Sequence, residues 1–389
     1  MKKHLTALAA LASASAFAQS SVTISGLLDT ALTTTSTKTT AGQTVRRTGL
    51  YSSGLSSNFL RFEGREDLGG GLAANFRLES GVNTDSGLGF ATNTNNQRSG
   101  AGTAGGLTFQ RWAYVGLSSA SWGEVRAGRV YTAAFENFTP FDPFLTNGVG
   151  SSSPISLRLG LKNAQTALNV SNAVEYLTPH YGSGFFARGT VALGENPSNG
   201  SLANSNPKRG GDHEAIRVGY ATKAFTIAYS VGLTHNTAGT TPTGLNPGDY
   251  LNTNLAGRWD LGPVTLLGQY VTEKMEGVSA ANATITGIPA NEAKTRTFLL
   301  GAIVPVGAGR IKFSYVDGKL TDNRGSAPEK GRLYAVGYDY SFSKRTTVYV
   351  AYSHVNNNAV GNYGLSSAFG APGQGQSSSG LSVGMRHIF

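Results

Sequence analysis

Arginine is the residue whose placement in this 389-residue chain most invites a chemical reading. Arg61, Arg65, Arg77, Arg111, Arg126, Arg188, Arg217 and Arg386, with Lys312, share one parity of segments in which apolar and polar residues alternate. A period of two puts them on a single face of extended strands. Arg258 joins them, opposite Leu255, Gly257 and Trp259. Arg129 breaks the parity of Arg126, so it needs a bulge near Gly128 or a strand end. A guanidinium keeps its charge and offers paired donors to carboxylate or phosphate. A row of them lining water would gather anions and repel cations rather than make or break bonds. Counting from the flanking turns sets Arg61, Arg77 and Arg126 at mid-strand, with Arg111 and Arg129 slightly above, as a basic ladder on neighbouring strands. A single such arginine is readily explained as a solvated charge balanced by Glu63 or Glu79. Five together are not, because like charges side by side cost energy unless something compensates or uses them.

Bond-making chemistry is poorly served. The chain has no cysteine, which excludes thiolate catalysis and cysteine-based metal sites. His180, His213, His235, His354 and His387 are scattered, with neither a His-Glu-x-x-His nor a Gly-x-Ser-x-Gly run. The expectation is no enzyme, no cofactor and no metal. A second candidate is the long loop from Tyr131 to Val170. Its stretch Phe135–Phe144 is too aromatic for a solvated loop, and burial inside a lumen suits it better. Glu136 and Asp142 would then face the ladder and set a transverse field. Asp29 and Glu79 could add acids at the same level, and Arg158 and Lys162 further positive charge.

The elements that must hold these residues are strands. Val22, Ile24, Gly26 and Leu28 alternate with Thr23, Ser25, Leu27 and Asp29, and similar runs recur to Leu381–Phe389. Seven tight turns, at 67–71, 120–122, 179–183, 222–224, 261–262, 305–308 and 342–344, alternate with eight long loops rich in Gly, Asn, Ser and Thr. The loops are expected at 34–56, 84–107, 131–170, 195–212, 236–249, 275–293, 319–331 and 357–379. Sixteen strands with loops sorted by length, one face apolar and the other charged, describe an all-β, antiparallel transmembrane barrel. A barrel this wide cannot fill its interior with side chains, so its charged face lines water. Closure also satisfies the backbone where no water can. The last strand, ending on Phe389, should close the barrel against Val22–Asp29. Lys2 and Lys3, the apolar Leu5–Leu11 and Ala16-Phe-Ala18 describe an export leader over residues 1–18, leaving 19–389 as one barrel domain. Removing it lowers the formal charge from +10 to about +8. Export disfavours nucleic acid as the partner of that charge.

Six stretches then carry a family likeness: Val22–Asp29, Arg61–Gly69, Gln110–Leu117, Glu124–Arg129, Tyr340–Thr346 and Val383–Phe389. In order and at barrel spacing, they resemble the Gram-negative general porins, in particular the anion-preferring betaproteobacterial branch. The resemblance implies an outer-membrane homotrimer of sixteen-stranded barrels with short periplasmic turns, long extracellular loops and an inward-folded third loop. It implies passive passage of small hydrophilic solutes with preference for small anions. A channel selective for one anion, such as phosphate or an organic acid, is the alternative on the same barrel. Membrane lipid, lipopolysaccharide and the barrel-assembly machinery are the implied partners, with Phe389 resembling the assembly signal. Asn58-Phe-Leu-Arg-Phe62 departs from the family's pattern and shifts the second strand's arginine by two residues.

Overall fold

Alternation of side chains governs the backbone of the computed structural model, which describes residues 21–97, 100–103, 105–195, 209–236, 239–241, 244–246, 248–276, 292–322, 325–366 and 369–389. The expected leader, residues 1–18, lies outside the described residues. Strands β1 (Ser21–Lys38), β2 (Thr44–Ser52 and Phe59–Gly69), β3 (Leu72–Ser80), β4 (Trp112–Ser119) and β5 (Gly123–Tyr131) form the first wall. After the third long loop come β6 (Asn169–Leu177), β7 (Gly184–Ala192), β8 (His213–Ala221), β9 (Phe225–Thr234) and β10 (Tyr250–Asp260). The wall continues through β11 (Thr265–Glu276), β12 (Glu292–Val306), β13 (Gly309–Asp322), β14 (Glu329–Ser341), β15 (Thr346–Asn357) and β16 (Ser378–Ile388). Each pairs antiparallel with its sequence neighbours, and β16 pairs back onto β1, so the sheet is a closed sixteen-stranded barrel.

The expected tight turns lie between consecutive strands at one end. In the first, Gly69, Gly70 and Gly71 all take positive φ (82°, 60° and 81°), which only glycine adopts without strain. Closure is displaced from the expected register. Leu27–Thr37 opposes Ile388–Ser378, and Gly26 and Phe389 exchange both backbone hydrogen bonds, at 2.9 and 3.0 Å. Ser21–Leu27 pairs with β2 instead. A barrel's strands are staggered, so β1 projects beyond the end of β16 rather than lying level with it.

The first long loop is the other correction. β1 runs on to Lys38 and β2 begins at Thr44, leaving only a short turn where the composition suggested a loop over 34–56. The irregular residues are 53–58, which interrupt β2. Thr30 opposes Ser52 and Leu27 opposes Phe59, so the two segments are one strand with six residues folded out of it. Asp29 pulls this insertion inward, accepting from the Leu55 and Ser56 amides at 2.7 and 2.6 Å and from the Tyr349 hydroxyl.

Burial is inverted relative to a water-soluble sheet. Phe298, Leu300, Val115, Phe185 and Val383 stand exposed on the outer surface. An apolar outer band with a largely polar interior is the arrangement that hydrocarbon favours. No helix among the described residues is long and apolar enough to cross a membrane. The largest interior apolar cluster belongs to loops: Phe144, Val149 and Ile155 of the third loop pack with Tyr363, Leu365 and Phe369 of the last loop against inward Leu299, Val316, Leu333 and Val355.

Candidate functional site

The third loop is folded into the barrel and pinned by polar side chains of the wall. It opens with helix α1 (Ala133–Glu136), whose first turn is capped by the Thr132 hydroxyl accepting from the Phe135 amide. Asn137 donates to the Ala228 and Asn254 carbonyls at 3.1 and 3.0 Å, and Gln269 donates to the Phe138 carbonyl at 2.9 Å. Two short helices follow, α2 (Ser153–Ser156) and α3 (Arg158–Asn163). Buried Glu273 takes the Leu159 and Gly160 amides of α3, both at 2.9 Å, and the hydroxyls of Tyr250 and Thr295. An irregular backbone inside a membrane barrel needs such partners for its orphan groups.

This loop meets the inward insertion of β2. Ser57 donates to Asn147 at 2.7 Å, and a Cβ at Gly148, whose φ is +61°, would lie 2.1 Å from the Gly54 carbonyl. Ser57, Arg111, Tyr131, Phe135, Thr146 and Asn147 line both the cavity on the long-loop side and the cavity beneath it. They mark the neck where the two join.

Beside that neck the ladder is built on one carboxylate. Glu79, 1% exposed, holds Arg61 Nε at 2.7 Å, Arg77 Nη2 at 2.5 Å and Arg111 Nε at 2.8 Å. Three guanidiniums on one anion leave two charges unbalanced, and Arg61 is further shared with Glu63 at 3.9 Å. Phe59, 4.4 Å from the Arg61 guanidinium, and Trp112, 5.1 Å from that of Arg77, supply ring faces that accept cations. Arg111 also donates to the Asn58 carbonyl at the root of the insertion, at 3.0 Å.

Arg126 is gripped by both oxygens of Glu124, at 2.8 and 2.9 Å, and lies 3.3 Å from Glu175. Arg129 turns inward through a register shift between Gly128 and Val130, the bulge its parity requires. It meets no carboxylate among the described residues. The Gln110 and Asn93 carbonyls and the Ser171 hydroxyl hold it, at 2.6, 3.3 and 2.6 Å.

Several expected charges sit elsewhere. Arg188 is fully buried between Glu136 and Glu175, so it anchors the loop rather than lining water. Arg217 is held by Asn137 and Tyr181, at 2.9 and 2.7 Å, and its buried side chain still lines the lower cavity. Lys312 lies under Phe144, 5.1 Å from the ring, and is 4% exposed. Arg386 reaches the Ser56 and Thr347 hydroxyls at 3.2 and 3.0 Å. Arg258 is exposed near the tight-turn end of β10 and forms no ion pair among the described residues. Arg65 donates to Ser118 at 3.3 Å.

The loop acids do not oppose the ladder in the expected way. Glu136 borders the lower cavity, but its carboxylate is engaged by Arg188 of β7 rather than by an arginine of the ladder. Asp142 is 1% exposed and turned into the loop, accepting from the Phe144 and Ser152 amides at 2.8 and 3.0 Å and from the Ser152 hydroxyl. Burial pushes the Asp142 carboxyl above its ordinary range, although these hydrogen bonds pull the other way. It shapes the loop and presents no charge to the neck. Arg158 is likewise buried, bound to Glu329 at 2.6 Å with its guanidinium 4.0 Å from the Tyr363 ring centre, while Lys162 is exposed. Glu124 and Glu175, unremarked in the sequence, are the compensating acids. Both share the inward parity of their strands, the signal in the sequence that places them beside the arginines. Tyr363, Leu365 and Phe369 inside a Gly/Ser-rich loop were a similar cue to inward packing.

Residues 5–360 match the Gram-negative porin family. Over 397 aligned residues, the whole of both chains, the protein is 32% identical to outer membrane porin protein 32 of Delftia acidovorans. The anion-selective porin from Comamonas acidovorans superimposes with a TM-score of 0.74 at 27% identity, over 95% of this chain and all of that one. OmpT, an outer membrane protein of Vibrio cholerae, shares the fold at 15% identity and a TM-score of 0.64, over 95% of this chain and 99% of that one.

Proposed function

This chain belongs to the Gram-negative porin family and is an outer-membrane diffusion channel, and from that premise we propose that its neck is an anion-preferring filter. The reading rests on the charges gathered around the neck by the ladder, the start of the third loop and the adjoining strands. Arg61, Arg77, Arg111, Arg126, Arg129, Arg188 and Arg217 stand against Glu63, Glu79, Glu124, Glu136 and Glu175, an excess of two positive charges beside a narrow passage. Low-dielectric walls focus such a field into the water between them, favouring anions and disfavouring cations without chemistry. Arg111 and Arg129 border the passage itself.

Planar-bilayer recordings across a KCl gradient test this. The reversal potential should lie on the chloride side of zero. A value at zero or on the potassium side would sink the anion preference while leaving the channel intact. Conductance should rise linearly with solute, whereas saturation by phosphate or one organic acid would favour the selective-channel alternative. A homotrimeric assembly, export through a leader over residues 1–18 and recognition of Phe389 by the barrel-assembly machinery complete the proposal. Phe389→Ala should lower the amount of folded protein in the outer membrane, and normal levels would remove that role.

A further inference from the structure

The third loop buries most of its apolar residues and leaves two leucines in the passage. Phe138, Phe141, Phe144, Ile155, Leu157 and Leu159 are each at most 2% exposed, whereas Leu145 is 39% and Leu161 43% exposed. Neither faces lipid. Leu161 lines the cavity above the neck and Leu145 the cavity beneath it. Phe135 lines both, so apolar surface follows the loop through the neck. Arg111 borders the same two cavities from the wall, with Arg129 beside the upper one. Glu136, the one carboxylate among the residues lining the lower cavity, is engaged by Arg188.

Leu145 is held there against its backbone preference. Its φ is +51° and that of Thr146 +62°, a left-handed conformation that is unfavourable for a side chain as bulky as leucine. Hydrogen bonds fix the turn. The Leu145 amide donates to the Asp142 carbonyl at 2.9 Å, the Phe144 amide to the Asp142 carboxylate at 2.8 Å, and the Asn147 side chain to the Leu145 carbonyl. Behind it, Pro143 packs so closely on the wall that a Cβ at Gly301 would lie 2.3 Å from its ring. Core packing does not explain the strain, because the Leu145 side chain stays in the passage. Strain kept at such a place points to a role in what passes.

We propose that Leu145, with Phe135 and Leu161, forms an apolar track that makes the channel prefer monovalent carboxylates bearing an apolar tail. The proposal rests on the anion-filter reading and adds a second side to it. The guanidiniums of the wall draw the carboxylate, and the tail sheds water against the leucines of the loop. A fully hydrated anion of the same size and charge gains from the wall alone. Leu145 is then the specificity-determining residue just below the neck, and Leu161 its weaker counterpart above.

The test compares butyrate with glycerate, monocarboxylates of similar size with an apolar and a hydroxylated tail. Bi-ionic reversal potentials of the purified full-length protein in planar bilayers, with either potassium salt against KCl, give each permeability relative to chloride. In wild type the butyrate-to-glycerate ratio should exceed the ratio of their aqueous mobilities by roughly threefold. Leu145→Asn and Leu145→Gly both suit a left-handed backbone and should bring the ratio down to that of the mobilities. Leu161→Gln should lower it by less. The thermal midpoint separates specificity from packing. Leu145→Gly should hold or raise it by relieving strain, whereas a lowered midpoint would make Leu145 a packing residue and overturn the proposal. A wild-type ratio equal to that of the mobilities, or an unchanged ratio in both Leu145 variants, would overturn it as well. The KCl gradient reads the arginines separately. Reversal at zero there removes the anion filter, while chloride-side reversal without butyrate preference removes only the apolar track.

Discussion

Along β2–β7, Arg61, Arg77, Arg111, Arg126 and Arg188 each touch a carboxylate, and the central acids Glu79 and Glu175 are buried. Across the lumen, on β13 and β16, Lys312 and Arg386 form no ion pair among the described residues. The difference separates two uses of positive charge. A buried acid under several arginines fixes where each guanidinium stands and offsets part of its repulsion, leaving a smaller but well-placed excess. A cation with no carboxylate within ion-pair distance is offset less closely, but its influence depends on whether water reaches it. Lys312, buried beneath the third loop, acts through a wall of protein. Arg386, half-exposed beside the β2 insertion, faces the passage more directly.

The largest effect should come from destroying this contrast. Glu79→Gln leaves three guanidiniums around a neutral amide, so the ladder becomes like the opposite wall but more crowded. Breaking a buried ion pair from one side typically costs about 3 kcal/mol or more. The thermal midpoint of the folded barrel, read by heat-modified electrophoresis, should fall, while anion preference in bilayers should rise. If both stay at wild-type values, Glu79 is not the organising acid.

A smaller effect should follow from removing cations on either side. One charge about 7 Å from an ion in a medium of effective dielectric near 40 contributes roughly 1 kcal/mol, or about fivefold in relative permeability. Arg111→Ala should lower the anion-to-cation ratio by more than that factor, since anion and cation shift in opposite directions and the change also frees half of Glu79. Arg386→Ala should lower it by less, because Arg386 forms no ion pair and the Asp29 carboxylate opposite it stays bound to the Leu55 and Ser56 amides and the Tyr349 hydroxyl. Equal effects on the two sides would mean that pairing does not govern the field. Arg126→Ala falls between them, because Glu124 loses its partner while Glu175 keeps Arg188.

What the residues revealed in advance follows from how far each rule reaches. Alternation is local, so strand identity, inward parity and even the bulge beside Arg129 could be deduced from neighbours in sequence. Tight turns were equally plain, because Gly69–Gly71 announces itself. The pairing of Arg188 with Glu136, or of Asp142 with Ser152, depends on where a forty-residue loop comes to rest, and no local period encodes that. The interruption of β2 was hidden for a related reason. Ser53-Gly-Leu-Ser-Ser-Asn58 reads as the end of an external loop, and only Asp29 and Tyr349, 320 residues apart, turn it inward.

That clasp offers the finest test of the comparison, because it joins the two walls. Asp29 lies on β1 and Tyr349 on β15, and the residues they hold place Ser57 against Asn147 and Ser56 against Arg386. Tyr349→Phe removes one donor and leaves the Leu55 and Ser56 amides bound, so the insertion should stay inward and stability should change by about 1 kcal/mol. The carboxylate that remains is less compensated and lies on the Arg386 side. Anion preference should therefore fall slightly while single-channel conductance holds. A large rise in conductance would mean that the insertion has swung out of the neck and that the hydroxyl, rather than the two amides, is its principal tether.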